Sequence, residues 1–303
     1  MSRYINPYTD FGFKKLFGEE GNKDLLIDFL NSILPENHQI ETLTFQNLEN
    51  LPDSPIYRTA TFDISCQSKT GKQFIVEMQK AAQHYFRERS VFYSTFPIRK
   101  QAPKGTDWDF NLKSVYFVAI LNFTYDKNED KKKFAREVTL KDQDGDLFYN
   151  KLTYYFYQMP HFTNTESELV TQSDKWFYFL KNLASFDDIP TILREPIFER
   201  AFDTAEYIRL PERELDRYEH DLKVYRDNYA AMKTAREDGY ADGESEGFAA
   251  GHAAGHAAGH AAGEVEGERK KAIEVTKKMK LSGFTTEQIA QLTGLSEEEI
   301  KNV

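Results

Sequence analysis

The chain has 303 residues, of which 40% are hydrophobic and 29% are charged, and its formal net charge is -10. That length allows one large domain or two modest ones, and the apolar content is too high for a disordered chain. The negative net charge argues against a protein that coats nucleic acid by bulk electrostatics, although it leaves room for a locally basic groove.

Targeting signals and membrane spans are absent from the sequence pattern. The longest apolar run, Val115 to Phe123, is much shorter than the roughly 18 to 20 residues that cross a bilayer. The first residues also lack the basic segment, apolar stretch and small-residue cleavage site of a secretory signal. We therefore expect a cytoplasmic protein that does not associate with membranes.

The single cysteine, Cys66, excludes an intramolecular disulfide framework and a zinc site built from several cysteines. It lies in a predicted strand, so we interpret it as a packed thiol and not as a nucleophile.

The N-terminal part of the chain predicts a mixed α/β layered domain. Apolar residues spaced by three and four from Phe11, and again from Leu25, predict two amphipathic helices. Segments 58–67 and 72–80 flank a polar turn and predict a β-hairpin, and a helix is predicted to follow from Ala81 to about Ile98.

The elements that follow complete this α/β pattern. The nearly continuous apolar stretch from Ser114 to Phe123 predicts a strand that is buried on both faces at the centre of a sheet. Two more strands are predicted on either side of the turn sequence at 142–146, and helices resume near Trp176. This order of elements is typical of a sheet covered by helices.

The C-terminal part of the chain is dominated by glycines at every fourth position. A long charged helix is predicted from Pro211, and the glycines within it are Gly239, Gly243, Gly247, Gly251, Gly255, Gly259, Gly263 and Gly267. In an isolated helix each glycine costs about 0.8 to 1 kcal/mol relative to alanine, so a helical repeat needs a compensating partner.

Two interpretations of this repeat compete. Glycines four apart form a smooth stripe for close helix pairing with a right-handed wrap, and Gly243 to Gly263 are then the oligomerisation residues. Alternatively, the segment is a flexible Gly/Ala linker. The regular period favours pairing, because a linker needs no fixed spacing.

Three histidines and a short hairpin complete this region. His252, His256 and His260 lie on one helical row, which suits either a metal site or duplicated surface residues. After Gly283, capping boxes at Thr285 and Ser296 predict two short helices. The acidic start of the second helix would repel phosphate, which favours docking or assembly over DNA reading.

Two acidic residues on the predicted hairpin form the most informative arrangement. Strand alternation places Glu77 and Gln79 on one face, and a suitable register brings Asp63 alongside them. Two carboxylates among apolar neighbours would need a cation, and Mg²⁺ prefers such oxygen ligands. The alternative is a solvent-facing strand on which Asp63 and Glu77 pair with Lys72 or Arg58.

These motifs, together with the opening segment 7–17 and with Arg89 and Tyr93 that follow, resemble the recombination-promoting nuclease (Rpn) or transposase family of the PD-(D/E)xK nuclease superfamily. The resemblance covers about residues 1–205, and the glycine-repeat helix resembles tails attached to relatives. It implies a restriction-endonuclease-like α/β/α core that cleaves DNA with Mg²⁺ or Mn²⁺. It also implies that Asp63, Glu77 and the backbone carbonyl of Met78 hold the metal.

One position departs from the superfamily pattern, because Gln79 stands where the motif has lysine. A neutral amide can donate and accept hydrogen bonds, but it cannot stabilise an anion as an ammonium does. The Glu-x-Gln form is nevertheless common in the family that the chain resembles. Lys80 should face away from the acids, whereas Lys14 of the first helix could approach them.

Several further residues are weaker candidates. Lys14, Arg87 and Arg89 are candidate DNA-binding cations, although a helix-surface arginine is often only solvated. Asp10 is either a third acid or, as we favour, the cap of the first helix. His84 is a candidate base only by its closeness to Glu77 in sequence.

The sequence therefore favours a metal-dependent DNA endonuclease linked to recombination or mobile elements, with Asp63, Glu77 and Gln79 as catalytic residues. We expect three parts: a nuclease-like domain at 1–205, a long oligomerisation helix at 206–270 and a helical hairpin at 271–303. Two cores in a homo-oligomer would cut opposing strands. The alternative is a catalytically degenerate assembly protein that acts through the glycine-repeat helix.

Overall fold

A computed structural model of the chain describes residues 2–46, 62–81, 85–102, 109–125 and 133–303. The chain divides after Asn228 into two compact units, which we describe separately. The predicted strand start at Arg58 and the candidate base His84 lie outside the described residues. None of the described helices is long and apolar enough to cross a membrane.

The described strands of the first unit form one six-stranded mixed sheet in the order β1-β2-β3-β4-β6-β5. The strands are β1 (Leu43–Phe45), β2 (Ile64–Ser68), β3 (Gln73–Gln79), β4 (Val115–Leu121), β5 (Ala135–Lys141) and β6 (Leu147–Gln158). Strands β3, β4 and β6 run parallel, whereas β1, β2 and β5 pair antiparallel with their neighbours. All seven residues of β4 are buried, which confirms the predicted central strand.

Helices cover both faces of this sheet. They are α1 (Asp10–Phe17), α2 (Lys23–Ile33), α3 (Phe86–Lys100), α4 (Gln172–Asn182) and α5 (Pro196–Ala205). Phe74, Val76 and Met78 of β3 belong to one apolar cluster with α1, α2, α4 and α5, whereas Ile75 belongs to a second cluster with α3. Because alternate strand residues point to opposite faces, the architecture is the predicted α/β/α core.

The first helix begins one residue earlier than predicted. Thr9 has extended backbone angles and its hydroxyl accepts a hydrogen bond from the Gly12 amide, so Thr9 is the N-cap. The prediction that Asp10 caps the helix is therefore wrong, and Asp10 instead forms an ion pair with Lys14 at 3.0 Å. A side chain at Gly12 would place its Cβ 2.2 Å from the Asn6 carbonyl oxygen, so this close turn requires glycine.

The glycine repeat is helical throughout. Helix α6 runs from Glu212 to Leu281 and contains all eight glycines, so the flexible-linker interpretation is wrong. Within the second unit, the side chains along the repeat are exposed to solvent. The domain limits predicted at 205 and 270 stay a prediction.

The terminal hairpin follows Gly283. Its helices are α7 (Thr286–Thr293) and α8 (Glu297–Asn302), and both predicted capping boxes are present. Gly294 ends α7 with a φ of 71°, in the left-handed region where glycine is favoured. Arg269 of α6 forms an ion pair with Glu299 of α8 at 2.8 Å, which ties the hairpin to the end of the long helix.

Candidate active site

The hairpin of β2 and β3 places Asp63 directly across from Glu77. Ile64 pairs with Val76 in the antiparallel register, so the next residues outward, Asp63 and Glu77, face each other where β2 begins. The Asp63 amide donates to Glu77 Oε1 at 3.3 Å. The Met78 amide donates to Asp63 Oδ2 at 2.7 Å. The sequence-predicted acids are thus brought together at one end of the hairpin.

Gln79 lies beside Glu77 on the same strand face. Its side-chain Nε2 donates to Glu77 Oε2 at 2.7 Å. The amide therefore fixes the rotamer of the glutamate, and both side chains are almost completely buried.

Burial makes the charged form of this acid pair unfavourable. Glu77 is only 1% exposed, so the interpretation of a solvent-facing strand is wrong for this residue. Burial and the neighbouring Asp63 carboxylate together raise the pKa of Glu77 to about 8, and Arg89 opposes the rise. Burial also raises the pKa of Asp63, against the hydrogen bond from the Met78 amide. Two adjacent carboxyls with raised pKa values repel each other unless a proton or a cation lies between them.

The candidate DNA-binding cations fall into two groups. Arg89 of α3 faces the acids, with Nη2 3.5 Å from Glu77 Oε2 and its guanidinium 5.0 Å from the centre of the Tyr93 ring. Asp10 raises the pKa of Asp63, and its ion-pair partner Lys14 lowers it, so both lie close enough to act on this acid. Arg87 contacts a different surface, where its guanidinium lies 5.1 Å from the centre of the Tyr125 ring.

Sequence reasoning missed the contribution of Lys80. We expected it to face away from the acids by strand alternation, yet its charge also lowers the pKa of Asp63. The reason is that β3 ends at Gln79, so alternation no longer fixes the direction of the next side chain. The sequence carried no signal for this effect, because it depends on where the strand ends.

The donor set at this site suits a hard divalent cation. Asp63 and Glu77 supply carboxylate oxygens that lack a full compensating charge. The Met78 amide points toward Asp63, and the N–H and C=O of one strand residue face the same neighbouring strand, so the Met78 carbonyl faces this edge too. Two carboxylates and a carbonyl, with remaining positions for water, match the preferences of Mg²⁺ or Mn²⁺.

Other candidate sites are not supported by the geometry. Within the described ranges, no three or more His, Cys, Asp or Glu side chains form a group that could hold a metal, and this includes the row from His252 to His260. Cys66 is fully buried and burial raises the pKa of its thiol to about 12, which confirms the packed thiol.

Comparison with known families places this geometry in context. The sequence model of the PD-(D/E)XK nuclease family transposase matches residues 7–235. No curated protein and no solved structure matches the chain. Nucleases of this family typically use divalent metals, and DNA is the substrate that membership implies. The match confirms the resemblance drawn from the sequence and covers well over half of the chain, which therefore belongs to the PD-(D/E)XK nuclease family transposases.

Proposed function

We propose that this chain is a divalent-metal-dependent DNA endonuclease that hydrolyses phosphodiester bonds in DNA recombination or in the movement of mobile elements. The observation that carries the proposal is the pair of the half-buried Asp63 and the buried Glu77, held across one hairpin with raised pKa values. Strongly shifted carboxyls beside a specific charge partner are a physical signature of functional sites. In a purely structural role, such a pair would only lower the stability of the fold.

Each residue of the pair has a distinct role in the proposed reaction. Asp63, Glu77 and the Met78 carbonyl would hold Mg²⁺ or Mn²⁺. When bound, such an ion supplies a nucleophilic water at neutral pH and offsets charge on the phosphodiester. The Met78 amide keeps Asp63 Oδ2 in place, and the Gln79 amide keeps Glu77 Oε2 in place.

Three cations act on the acid pair and would take over part of the role of the missing motif lysine. Arg89 lies against Glu77, and Lys14 and Lys80 both act on Asp63. Each of them can neutralise phosphate oxygens of a DNA strand that approaches the acids. Because Gln79 carries no charge, these cations would add to the charge that the metal ion supplies in stabilising the developing negative charge.

A plasmid-nicking assay tests the proposal. We expect the purified full-length protein to nick supercoiled plasmid in Mg²⁺ or Mn²⁺ and to be inactive in EDTA. Asp63→Asn should abolish nicking, whereas Asp144→Asn, which changes an exposed carboxylate in the β5–β6 turn, should not. Equal cleavage by wild type and Asp63→Asn would contradict the site, and no cleavage in any metal would favour the catalytically degenerate assembly protein.

We also propose that the chain forms a homo-oligomer through the glycine stripe of α6, so that two cores cut opposing strands. A Cβ added at any of the eight repeat glycines would meet none of the described atoms within 4 Å, so the stripe offers open space for another helix. Close packing of backbones is the gain that offsets the helix-weakening effect of glycine.

Sedimentation of matched variants tests the oligomer. Leucine at Gly251 and Gly255 should reduce the mass of the full-length assembly, because the added side chains hold the backbones apart. Leucine at Ala253 and Ala257 adds similar bulk about 200° around the helix and should leave the mass unchanged. A monomeric wild type, or equal effects of the two pairs, would contradict pairing through the glycines.

A further inference from the structure

The sheet face that α3 covers carries a cavity as well as the acid pair. A cavity of about 510 Å³ opens between α3 and the strands β5 and β6. Its floor is formed by Tyr154 and Phe156, which are each 6% exposed. Cavities of roughly 300 to 1,000 Å³ are typical of sites for small ligands or ligand fragments.

The described residues that line the cavity carry more positive than negative charge, although the chain as a whole is acidic. Arg87, Lys133 and Arg136 line it, and Glu137 is the acidic residue among its described lining residues. Arg136 pairs with Phe156 in the register of β5 and β6, so it shares the face that turns toward α3. Glu137 pairs with Tyr155, and it raises the pKa of Tyr155 and Tyr157 on the opposite face. Strand alternation therefore directs the Glu137 side chain to the face opposite the cavity.

The fully buried side-chain amide of Gln158 holds two of the residues that line this cavity. Gln158 Oε1 accepts from the Tyr125 amide at 3.1 Å, and Gln158 Nε2 donates to the Lys133 carbonyl at 2.9 Å. Gln158 is 0% exposed, so both of its polar ends are used to hold the backbones of two lining residues. The backbones of Tyr125 and Lys133 are thereby held by the same side chain.

The aromatic part of the rim is also held in a defined orientation. The Tyr125 ring meets Phe156 edge-on, with ring centres 5.5 Å apart, and the Arg87 guanidinium lies 5.1 Å from the Tyr125 ring centre. Proteins use an aromatic ring beside a guanidinium group to stack a base while neutralising its phosphate.

We propose that this cavity binds one nucleotide unit, with the base against Tyr125 and the phosphate among Arg87, Lys133 and Arg136. The inference rests on the proposed function, because it assigns where one part of a substrate strand is held. Arg87 and Arg89 are two residues apart on α3, so their side chains leave the helix about 200° apart, with Cα atoms about 5.4 Å apart. The same helical turn thus presents one arginine to Glu77 and the other to the cavity.

Binding of DNA in EDTA tests the inference without any cleavage. The probe is a short fluorescein-labelled single-stranded oligonucleotide, titrated with the full-length protein by fluorescence anisotropy. We expect Arg87→Ala to weaken binding and to lower the slope of log affinity against log salt by about 0.7, the value for one lost phosphate contact. Arg99→Ala is the matched control, because it removes an exposed arginine from the other end of α3. Tyr125→Ala should weaken binding roughly tenfold through loss of one stacked base.

Two further probes distinguish a DNA strand from a free nucleotide as the ligand of the cavity. An abasic strand of the same length should bind roughly tenfold more weakly, as for Tyr125→Ala. Competition by a free deoxynucleoside monophosphate identifies a free nucleotide as ligand, and its failure, with the strand still bound, identifies a DNA strand. Equal weakening by Arg87→Ala and Arg99→Ala, or equal affinity for the abasic strand, would overturn the inference.

The two proposals can fail separately. If Asp63→Asn binds the probe like wild type and no protein nicks plasmid, the cavity assignment stands and the nuclease proposal falls. If wild type nicks plasmid in metal but Arg87→Ala and Tyr125→Ala bind the probe like wild type, the nuclease proposal stands and the cavity assignment falls.

Discussion

Replacement of Glu77 by glutamine should change how the stability of the metal-free protein depends on pH. The folded state raises the pKa of Glu77 from its ordinary value of 4.5 to about 8. A carboxyl with a raised folded-state pKa stabilises the fold fully below its unfolded pKa, and this contribution is lost as the pH rises toward the folded pKa. Wild type should therefore lose stability between about pH 4.5 and pH 8, and Glu77→Gln should lose much less.

The size of the effect follows from the pKa shift. Each pH unit inside this window changes the free energy of unfolding by about 1.4 kcal/mol, so the upper limit between pH 5 and pH 7 is about 3 kcal/mol. For a unit of this size, that corresponds to a difference of roughly 5 to 10 °C in melting temperature. The glutamine side chain has one oxygen, so it cannot accept both hydrogen bonds that the two Glu77 oxygens accept from Asp63 and Gln79. This loss lowers the free energy of unfolding at every pH but does not change its dependence on pH.

The assay is thermal unfolding in EDTA at pH 5 and pH 7, followed by circular dichroism. Glu199→Gln, on the exposed face of α5, is the matched control and should keep the wild-type pH dependence. Adding Mg²⁺ at pH 7 should raise the melting temperature of wild type by mass action and leave Glu77→Gln unchanged. The same pH dependence in Glu77→Gln and wild type would refute the assignment of a proton-binding acid pair.

Four more substitutions or treatments give defined outcomes. Asp63→Asn should remove Mg²⁺ binding measured by calorimetry, and unchanged binding would contradict its role as a ligand. Gln79→Lys should increase the rate of plasmid nicking, because an ammonium replaces the amide beside Glu77 Oε2. Native Cys66 should resist a thiol reagent until guanidinium unfolds the protein, since it is fully buried. Trp176→Phe should lower stability by about 2 kcal/mol in urea unfolding, because Trp176 Nε1 donates to Asp28 Oδ1 at 2.6 Å.

Local patterns predicted much of the fold. The apolar run at β4 indicated a strand buried on both faces, and parallel neighbours on each side account for that pattern. The capping boxes at Thr285 and Ser296 act within four residues, so no tertiary information was needed to place α7 and α8. The start of α1 was missed by one residue, because Thr9 and Asp10 are both good capping residues and only backbone angles separate them.

The site was predictable in part, because strand alternation is also a local pattern of the sequence. Strand alternation joins Glu77 and Gln79, but the exposed fraction of Glu77 depends on the packing of α3 over the sheet. The direction of Arg89 toward Glu77 likewise follows from tertiary packing. Gln158 gave no signal at all, since its two partners lie far from it in sequence and come together only when the sheet forms.

The four-residue repeat in α6 has a consequence for how this chain can change in length. Gain or loss of one Gly-His-Ala-Ala copy shifts everything beyond it by about 6 Å along the helix axis and rotates it by about 40°. Since the repeat glycines have open surroundings among the described residues, such a change would break no packing of the sheet or of the terminal hairpin. Copy number in this segment therefore sets the distance and rotation along α6 between the residues that precede the repeat and the α7–α8 hairpin, within the second unit.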